Sequence, residues 1–270
     1  MVFERVHLKS TDEIRLMREA NLIVAEVLDA LEKVIAPGVS TQDLDDVAVR
    51  ILKERGAKSA FLGYRGYPRS LCTSVNEEVV HGIPRKDKVL REGDIVGVDF
   101  GAVVSGFVGD AARTVAVGKV SPEAQRLMDV TRQSLERAIA QCVVGNRIID
   151  VARAVQEHAE AHGYTVVRDF VGHGIGRRMH ENPYVPNFVD PAGQFTKALR
   201  TRLQPGLVIA IEPMVNAGGP EVVTLDDEWT AVTVDGKLSA HFEHSIAITE
   251  EGPFVLSRRD GKPEAIAASA

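Results

Sequence analysis

The first 55 residues carry the pattern of amphipathic helices. Between residues 11 and 55, apolar residues recur at steps of three and four, which is the spacing of one helix face. A Pro-Gly pair at 37–38 interrupts the pattern, Ser40 or Thr41 suits a helix N-cap, and Gly56 suits a helix C-terminus. The pattern therefore predicts two consecutive helices.

A second pair of helices is predicted in the middle of the chain. Pro122 suits the first position of a helix, and we expect this helix to run to Val143. Gly145 interrupts it, and a further helix is predicted from Asp150 to Ala161.

The two helical pairs match each other at a constant offset, which suggests an internal duplication. Leu28 matches Leu135, Gly38 matches Gly145, Asp43 matches Asp150 and Gly56 matches Gly163, each 107 positions apart. Strand-like segments follow each pair. A site built from both sets of strands would therefore lie between the two halves.

Two apolar runs separated by Ser105 and Gly106 are typical of a β-hairpin. If the strands pair symmetrically about the bond between Val104 and Ser105, Asp99 and Asp110 lie directly opposite each other. Their Cβ atoms would then be about 4.5–5.5 Å apart. Two carboxylates at this separation repel each other unless positive charge or a shared proton lies between them.

Arg113 is near this pair in sequence but does not suit the role. It follows Asp110 by three residues, and successive side chains on a strand point to opposite faces. A metal ion or a shared proton remains as the means of holding Asp99 and Asp110 together.

His173 is surrounded by glycines at positions 172, 174 and 176. Glycine lets backbone or ligand approach closely, and three glycines here predict a loop. Their spacing differs from the dinucleotide-binding fingerprint, so we do not expect a nucleotide site.

Glu212 and Glu243 each interrupt an apolar, strand-like run. One such glutamate usually faces water on an edge strand, and Pro213 after Glu212 suits an edge or a strand end. The joint pattern of two aspartates, two glutamates and one histidine in apolar settings favours another interpretation. Buried carboxylates are unfavourable without cations, so the five residues predict a two-metal site.

An oxygen-rich ligand set with one imidazole is typical of a Mn(II), Fe(II) or Co(II) site and not of a thiolate zinc site. Cys72 and Cys142 form no CxxC pair, and we expect both to pack as small apolar residues. Unpaired cysteines without a secretory signal predict a cytoplasmic protein.

Composition narrows the function classes further. The chain has 270 residues, a hydrophobic content of 44% and a formal net charge of −6. These values predict an ordinary soluble core and argue against nucleic acid as the main ligand. No apolar run reaches the roughly 18 residues that a membrane span needs.

In their order along the chain, these residues resemble type I methionine aminopeptidases. The resemblance rests on Val98-Asp99-Phe100, Gly109-Asp110, Gly172-His173-Gly174-Ile175-Gly176, His180, Ile211-Glu212-Pro213-Met214 and Glu243-His244, with agreement around Phe61-Leu62-Gly63-Tyr64, His81-Gly82 and Trp229. It implies an α+β pita-bread fold with a pseudo-two-fold axis. In that fold an antiparallel central sheet carries helices on its outer face and a dinuclear metal site in its cleft. The chain would form one catalytic domain, 1–270, with short extensions at about 1–8 and 260–270.

The resemblance also implies site roles. Asp110 and Glu243 would bridge two divalent metal ions, Asp99 would chelate one of them, and His173 and Glu212 would complete the other. Cobalt, manganese and iron are the first candidates, with zinc and nickel as further ones. The metals would activate a water that attacks the first peptide bond, and Glu212 would pass a proton to the leaving amine.

The same resemblance implies a substrate site for an N-terminal methionine whose following residue is small. His81 and His180 would contact the scissile amide. The methionine slot would be lined by Phe61, Tyr64, Tyr67, Cys72, Met179 and Trp229. Phe61 stands where several relatives have cysteine, and Met179 where several have phenylalanine.

His241 stands where relatives commonly carry glutamine. We hypothesise that it hydrogen-bonds a metal ligand and tunes the acidity of the bound water; a solvent-facing strand histidine is the alternative. The resemblance further implies nascent polypeptide N-termini as substrate and offers a monovalent-cation site near Asn76 and Ser239. We expect a monomer, and transient docking to the ribosome is left open. A proline-specific aminopeptidase or prolidase, and an inactive binding module on the same fold, remain alternative functions.

Overall fold

The computed structural model describes residues 6–190 and 192–260; most of the expected terminal extensions lie outside the described residues. The helices are α1 (Thr11–Val34), α2 (Thr41–Arg55), α3 (Pro122–Ala140), α4 (Ile148–Ala161) and the short α5 (Thr196–Leu199). The strands are β1 (Lys58–Ser59), β2 (Cys72–Val75), β3 (Glu78–Val80), β4 (Ile95–Val104), β5 (Phe107–Ala116), β6 (Thr165–Val166), β7 (Gly172–Gly174), β8 (Glu181–Val185), β9 (Val208–Ile211), β10 (Met214–Asn216), β11 (Val222–Thr224), β12 (Ala231–Thr233), β13 (Ser239–His241), β14 (Glu243–Thr249) and β15 (Gly252–Val255). No described helix is long and apolar enough to cross a membrane.

The four predicted helices are present, and polar side chains fix where they begin. Ser40 caps α2 in a capping box with Asp43, and Gly56 ends the helix in the left-handed conformation. Asp150 accepts the backbone N–H of Arg147 at 2.8 Å. It therefore lies in the first turn of α4, which begins two residues earlier than predicted.

The prediction that the third helix runs to Val143 is wrong. Helix α3 ends at Ala140. The N–H of Gln141 donates to Ala138 at 3.0 Å and that of Cys142 to Ile139 at 2.9 Å. These bonds span three residues instead of four, so the chain tightens into a turn before Val143.

The main sheet is antiparallel and is shared by both halves of the chain. Its strands follow the order β1-β4-β5-β14-β9-β7-β8, with β2 paired to β4 and β15 to β14. Two three-stranded sheets, β13-β10-β6 and β11-β12-β3, complete the architecture. The strands that follow the first helical pair therefore meet those that follow the second at the pairing of β5 with β14.

Each helical pair packs a hydrophobic core of its own. One core joins α1 and α2 to β4, with Leu28, Leu44 and Phe100 fully buried. The other joins α3 and α4 to the strands of the second half, with Leu135 and Ile148 among its buried residues. This arrangement agrees with the duplication that the offset suggests.

The prediction that Asp99 and Asp110 lie directly opposite each other is wrong by two residues. The hairpin turns at Ser105 and Gly106, whose φ angles are 51° and 77°. Asp110 therefore faces Gly101, and Asp99 faces Ala112. A shift of two residues preserves the face of each side chain, so the two carboxylates are diagonal neighbours on one face.

Arg113 points to the other face of the sheet, as predicted. Its guanidinium lies 2.8 Å from a carboxylate oxygen of Asp29 and 3.1 Å from one of Glu32, both on α1. The charge of Arg113 is thus directed away from Asp99 and Asp110.

The glycines around His173 belong partly to a strand, so the prediction of a loop is wrong for residues 172–174. Strand β7 lies between β8 and β9. A Cβ atom at Gly172 would lie 2.4 Å from the carbonyl oxygen of Ala210, and one at Gly174 would lie 2.4 Å from that of Asn182. Glycine is required here because neighbouring backbone approaches closely.

Glu212 lies immediately after β9. The expectation that it lies at a strand end is therefore correct, and the expectation of an edge strand is wrong. Strand β9 is an interior strand between β14 and β7. Pro213 is tolerated because the strand has already ended at Ile211.

Candidate metal centre and active site

One cavity of about 340 Å³ brings together all five predicted metal ligands. Asp99 lies on β4, Asp110 on β5, His173 on β7, Glu212 at the end of β9 and Glu243 at the start of β14. The first two residues come from the first half of the chain and the other three from the second. The cavity thus lies where the two halves meet.

The ligand atoms are close enough to share metal ions. Donor atoms of Asp110, His173 and Glu243 all lie within 4.8 Å of one another. The Nε2 atom of His173 lies 3.5 Å from Oε1 of Glu212 and 3.9 Å from Oδ2 of Asp110. The Nδ1 atom of His173 lies 3.0 Å from the carbonyl oxygen of Gly174. Because a carbonyl can only accept, Nδ1 donates and Nε2 offers its lone pair to the cavity.

Backbone hydrogen bonds fix the position of Asp110. Its N–H donates to Oδ1 of Asn21 at 3.4 Å, and its carbonyl accepts the hydroxyl of Ser245 at 2.8 Å. Gly109 allows α1 to lie against this strand, since a Cβ there would be 2.6 Å from the backbone nitrogen of Asn21. Directly after β9, the side-chain amide of Asn187 donates to the carbonyl of Glu212 at 3.1 Å.

The electrostatics of the cavity disfavour ionised carboxylates unless positive charge lies beside them. Burial raises the pKa of Asp99 to about 7. Burial first, and then the charges of neighbouring carboxylates, raise the pKa values of Asp110, Glu212 and Glu243 well above the ordinary range. Burial also lowers the pKa of His173 to about 3, which keeps its imidazole neutral.

Unpartnered oxygens mark where cations fit. Among the described residues, Oδ1 of Asp99, Oδ1 of Asp110 and Oε1 of Glu243 are buried without a hydrogen-bond partner. Buried polar atoms are normally paired. Carboxylate oxygens and one imidazole nitrogen are ligands that hard or borderline divalent cations accept. The residues present therefore fit divalent metal ions.

Two further histidines face the same cavity. The Nδ1 atom of His180 lies 2.7 Å from the hydroxyl oxygen of Tyr64, and its ring centroid lies 4.3 Å from that of His173. His81 packs edge-on against Phe170 at 5.3 Å between ring centroids. Desolvation is the main reason that the pKa of each of these two histidines, His81 and His180, is lowered to about 4, so both are neutral at pH 7.

The residues predicted for the methionine slot line this cavity too. They are Phe61, Tyr64, Tyr67, Cys72, Met179 and Trp229. The rings of Tyr67 and Trp229 meet edge to face with 5.0 Å between centroids. Both cysteines of the chain are buried and free, as expected. A mostly apolar recess thus adjoins the cluster of candidate metal ligands.

Comparison with known proteins decides the family. The model of metallopeptidase family M24 matches residues 15–250. The chain belongs to metallopeptidase family M24. Methionine aminopeptidase of Clostridium acetobutylicum is 49% identical over 250 residues, which are 93% of this chain and 98% of that protein. The resemblance seen in the sequence is thereby confirmed.

Solved structures of the family confirm the fold. Methionine aminopeptidase of Thermotoga maritima superposes with a TM-score of 0.90 at 46% identity, over 94% of this chain and 100% of that one. Prolidase from Pyrococcus furiosus shares the fold alone, with a TM-score of 0.74 at 22% identity. This chain covers 66% of that prolidase. The proline-specific alternative is therefore not favoured.

The sequence analysis missed several residues that line the M24 cavity. They are Arg65, Asp169, Phe170, Val171 and Tyr184. Three of these directly precede Gly172 and His173, so proximity to the glycine-rich segment was an available signal. Arg65 lies between the two slot tyrosines and could have been found in the same way.

The alternative that His241 faces solvent is wrong. His241 is 4% exposed, and both its backbone N–H and its carbonyl are bonded to the hydroxyl of Thr114 at 2.9 Å. Its Nε2 has no partner among the described residues, so the hypothesised bond to a metal ligand is not made by that atom.

Asn76 and Ser239 are brought together, since the N–H of Ser239 donates to the carbonyl of Asn76 at 2.9 Å. The monovalent cation stays a prediction.

Proposed function

We propose that this chain is a methionine aminopeptidase that removes the N-terminal methionine from nascent proteins and peptides whose second residue is small. One observation carries the proposal: the five carboxylate and imidazole ligands share a single cavity with a mostly apolar recess and two neutral histidines. Similarity to methionine aminopeptidases over nearly the whole chain supports it. Residues 1–270 would act as one catalytic domain.

The five ligands would hold two divalent metal ions, with cobalt, manganese and iron as candidates and zinc and nickel as further ones. Asp99, Asp110, His173, Glu212 and Glu243 would hold these ions between them, since all five line one cavity and donor atoms of three of them, Asp110, His173 and Glu243, lie within 4.8 Å of one another. When bound, such ions polarise a carbonyl and lower the pKa of water.

The chain's own side chains would move the protons. Glu212 lies 3.5 Å from the imidazole of His173. Its carboxyl lines the same cavity as His81 and His180, and it is our candidate for the group that takes a proton and passes it to the leaving amine. His81 and His180 are neutral at pH 7, so each can donate an N–H to the scissile amide without burying a positive charge.

The recess would recognise methionine through shape and polarisability. Aromatic rings and the thioether of Met179 offer the contacts that a methionine side chain makes well. In the cell, the substrates would be nascent polypeptide N-termini, with the ribosome as a transient partner. We expect a monomer in the cytoplasm.

A peptide competition tests this function. Metal-stripped protein is incubated with Met-Ala-Ser, Met-Leu-Ser and Ala-Pro-Ser, Mn(II) or Fe(II) is added stepwise, and products are followed by mass spectrometry. We expect only Met-Ala-Ser to lose its first residue, and only with metal. Cleavage of Ala-Pro-Ser would indicate a proline-specific enzyme, and no cleavage with any metal would indicate a binding role.

A further inference from the structure

The hydroxyl of Tyr64 contacts a histidine, and the role of Tyr64 in lining the methionine slot does not explain this contact. It lies 2.7 Å from Nδ1 of His180, and the two rings stack with centroids 5.4 Å apart and an interplanar angle of 28°. This is a short side-chain hydrogen bond between residues 116 positions apart in the chain. It links the turn before β2 directly to the segment that follows β7.

The turn that carries Tyr64 is held by its own backbone. The N–H of Tyr64 donates to the carbonyl of Phe61 at 2.8 Å, and the N–H of Tyr67 donates back to the carbonyl of Tyr64 at 2.9 Å. Between them the chain forms a short 3-10 turn, Tyr64–Gly66. The phenol ring therefore starts from a fixed backbone.

Hydrogen-bond chemistry gives the contact a direction. A neutral imidazole has one N–H and one nitrogen lone pair, and the lone pair is a strong acceptor. A phenol O–H is a good donor, so the favourable arrangement has Tyr64 donating to Nδ1 of His180. The single ring proton must then be on Nε2.

We propose that Tyr64 is a positioning residue whose hydroxyl holds His180 in the tautomer protonated at Nε2 and orients that N–H toward the scissile amide. The proposal rests on the proposed function, because it assigns a task to His180 in peptide cleavage. The proposed task belongs to the hydroxyl oxygen of Tyr64 alone. The aromatic ring of Tyr64 lines the slot whether or not the hydroxyl is present.

The neighbouring slot tyrosine does not share this task. The hydroxyl of Tyr67 lies 3.0 Å from the carbonyl oxygens of both Leu71 and Gly82. It ties two backbone segments together behind the cavity. Of these two tyrosines, only Tyr64 forms a hydrogen bond between its hydroxyl and a histidine ring.

Tyr64→Phe tests the proposal because it removes the oxygen and keeps the ring. The first readout is the ¹⁵N spectrum of the full chain loaded with diamagnetic Zn(II), with His180 assigned by the loss of its signals in His180→Ala. In the unsubstituted protein we expect a protonated Nε2 and an unprotonated Nδ1. In Tyr64→Phe we expect the His180 signals to move toward the average of the two tautomers.

The second readout is the kinetics of Met-Ala-Ser cleavage with Mn(II). We expect kcat of Tyr64→Phe to fall about tenfold, the loss of one well-oriented transition-state interaction. KM should change less than about threefold, because the ring still lines the slot. Tyr164→Phe is the matched control, because Tyr164 belongs to a buried core and does not line the cavity, and it should leave the spectrum and both constants unchanged.

Three outcomes overturn the proposal, and a fourth overturns the proposed function on which it rests. A wild-type His180 protonated at Nδ1, or a Tyr64→Phe spectrum equal to wild type, contradicts the tautomer assignment. A raised KM with unchanged kcat would mean that Tyr64 acts only in the slot wall. Wild-type protein that cleaves no methionine peptide would refute the proposed function instead, while the spectrum would still report whether the hydrogen bond exists.

Discussion

At the scale of single residues, the site depends on space as much as on charge. Gly101 faces Asp110 across the hairpin. A Cβ atom there would lie 2.8 Å from Cε1 of Phe61 and 3.0 Å from Cε of Met179. Phe61 and Met179, two of the three positions at which the sequence departs from the family pattern, therefore both border the space that a side chain at Gly101 would fill. They share one wall of the recess, and the glycine makes room for both.

Gly101→Ala should disturb this wall. The added methyl group would push Phe61 and Met179 into the recess, and we expect KM for Met-Ala-Ser to rise about fivefold to tenfold, with a loss of about 1–3 kcal/mol in unfolding free energy. Steady-state kinetics and urea unfolding measure both effects.

Gly97→Ala is the matched control for this substitution. It adds the same methyl group on the same strand, where the nearest atoms are 3.6 Å away, an ordinary contact distance. We expect its KM to equal the wild-type value. Equal KM values for the two variants would show that Gly101 does not shape the slot.

At the scale of secondary-structure elements, the turn between β4 and β5 sets the position of two proposed metal ligands. Ser105 and Gly106 both have positive φ angles, as a two-residue hairpin turn with the twist of its strands requires. This turn fixes the register of the ten-residue strands β4 and β5. The position of Asp99 relative to Asp110 is thus determined at the far end of the hairpin.

Ser105→Asn should stabilise the protein. Asparagine tolerates the left-handed conformation better than serine does, and Asn-Gly is the preferred sequence for this turn. We expect the unfolding free energy to rise by about 0.5 kcal/mol, with activity unchanged, as measured by urea unfolding and peptide cleavage.

Gly106→Ala, at a φ of 77°, is the opposite control and should destabilise the hairpin. The interpretation would be contradicted if alanine at 106 were tolerated as well as glycine, because the left-handed backbone would then not be limiting.

At the scale of the whole molecule, folding brings like charges from both halves into one cavity. In metal-free protein, raised pKa values mean that the folded state holds carboxyl protons which the unfolded chain has already released. The contribution of these groups to the unfolding free energy of the metal-free protein is therefore fully present below the ordinary carboxyl pKa. It is lost as pH rises through the raised pKa values. Metal ions replace the protons as the neutralising charge.

Metal binding should therefore release protons and stabilise the fold. At pH 7 we expect metal binding to release a measurable number of protons, because burial raises the pKa values of Asp110, Glu212 and Glu243. Calorimetric titration with Mn(II) in two buffers of different ionisation enthalpy measures this number. Metal at a hundred times its Kd should add about 2.7 kcal/mol to the unfolding free energy.

Asp12→Asn is the control for the proton count. It removes a carboxylate whose side chain is 85% exposed, and the number of protons released should not change. A binding enthalpy independent of buffer would contradict the inference, since it would mean that the carboxylates are already ionised without metal.

The sequence by itself determined the presence of the four main helices and the family, and it predicted the candidate metal ligands. Helix caps such as Ser40 and Gly56 act through neighbours a few residues away, so a local pattern reveals them. Acidic residues in apolar runs indicate metal because their burial is unfavourable in any fold. The ordered motifs around Asp99, His173 and Glu243 led to the M24 family.

Only the tertiary structure decided how these parts meet. The hairpin register depended on two φ angles at Ser105 and Gly106, and β7 became a strand because β8 and β9 supplied partners for its glycines. The contact between Tyr64 and His180 joins residues 116 positions apart. No local pattern encodes such a distance, because it results from the packing of both halves of the chain around one cavity.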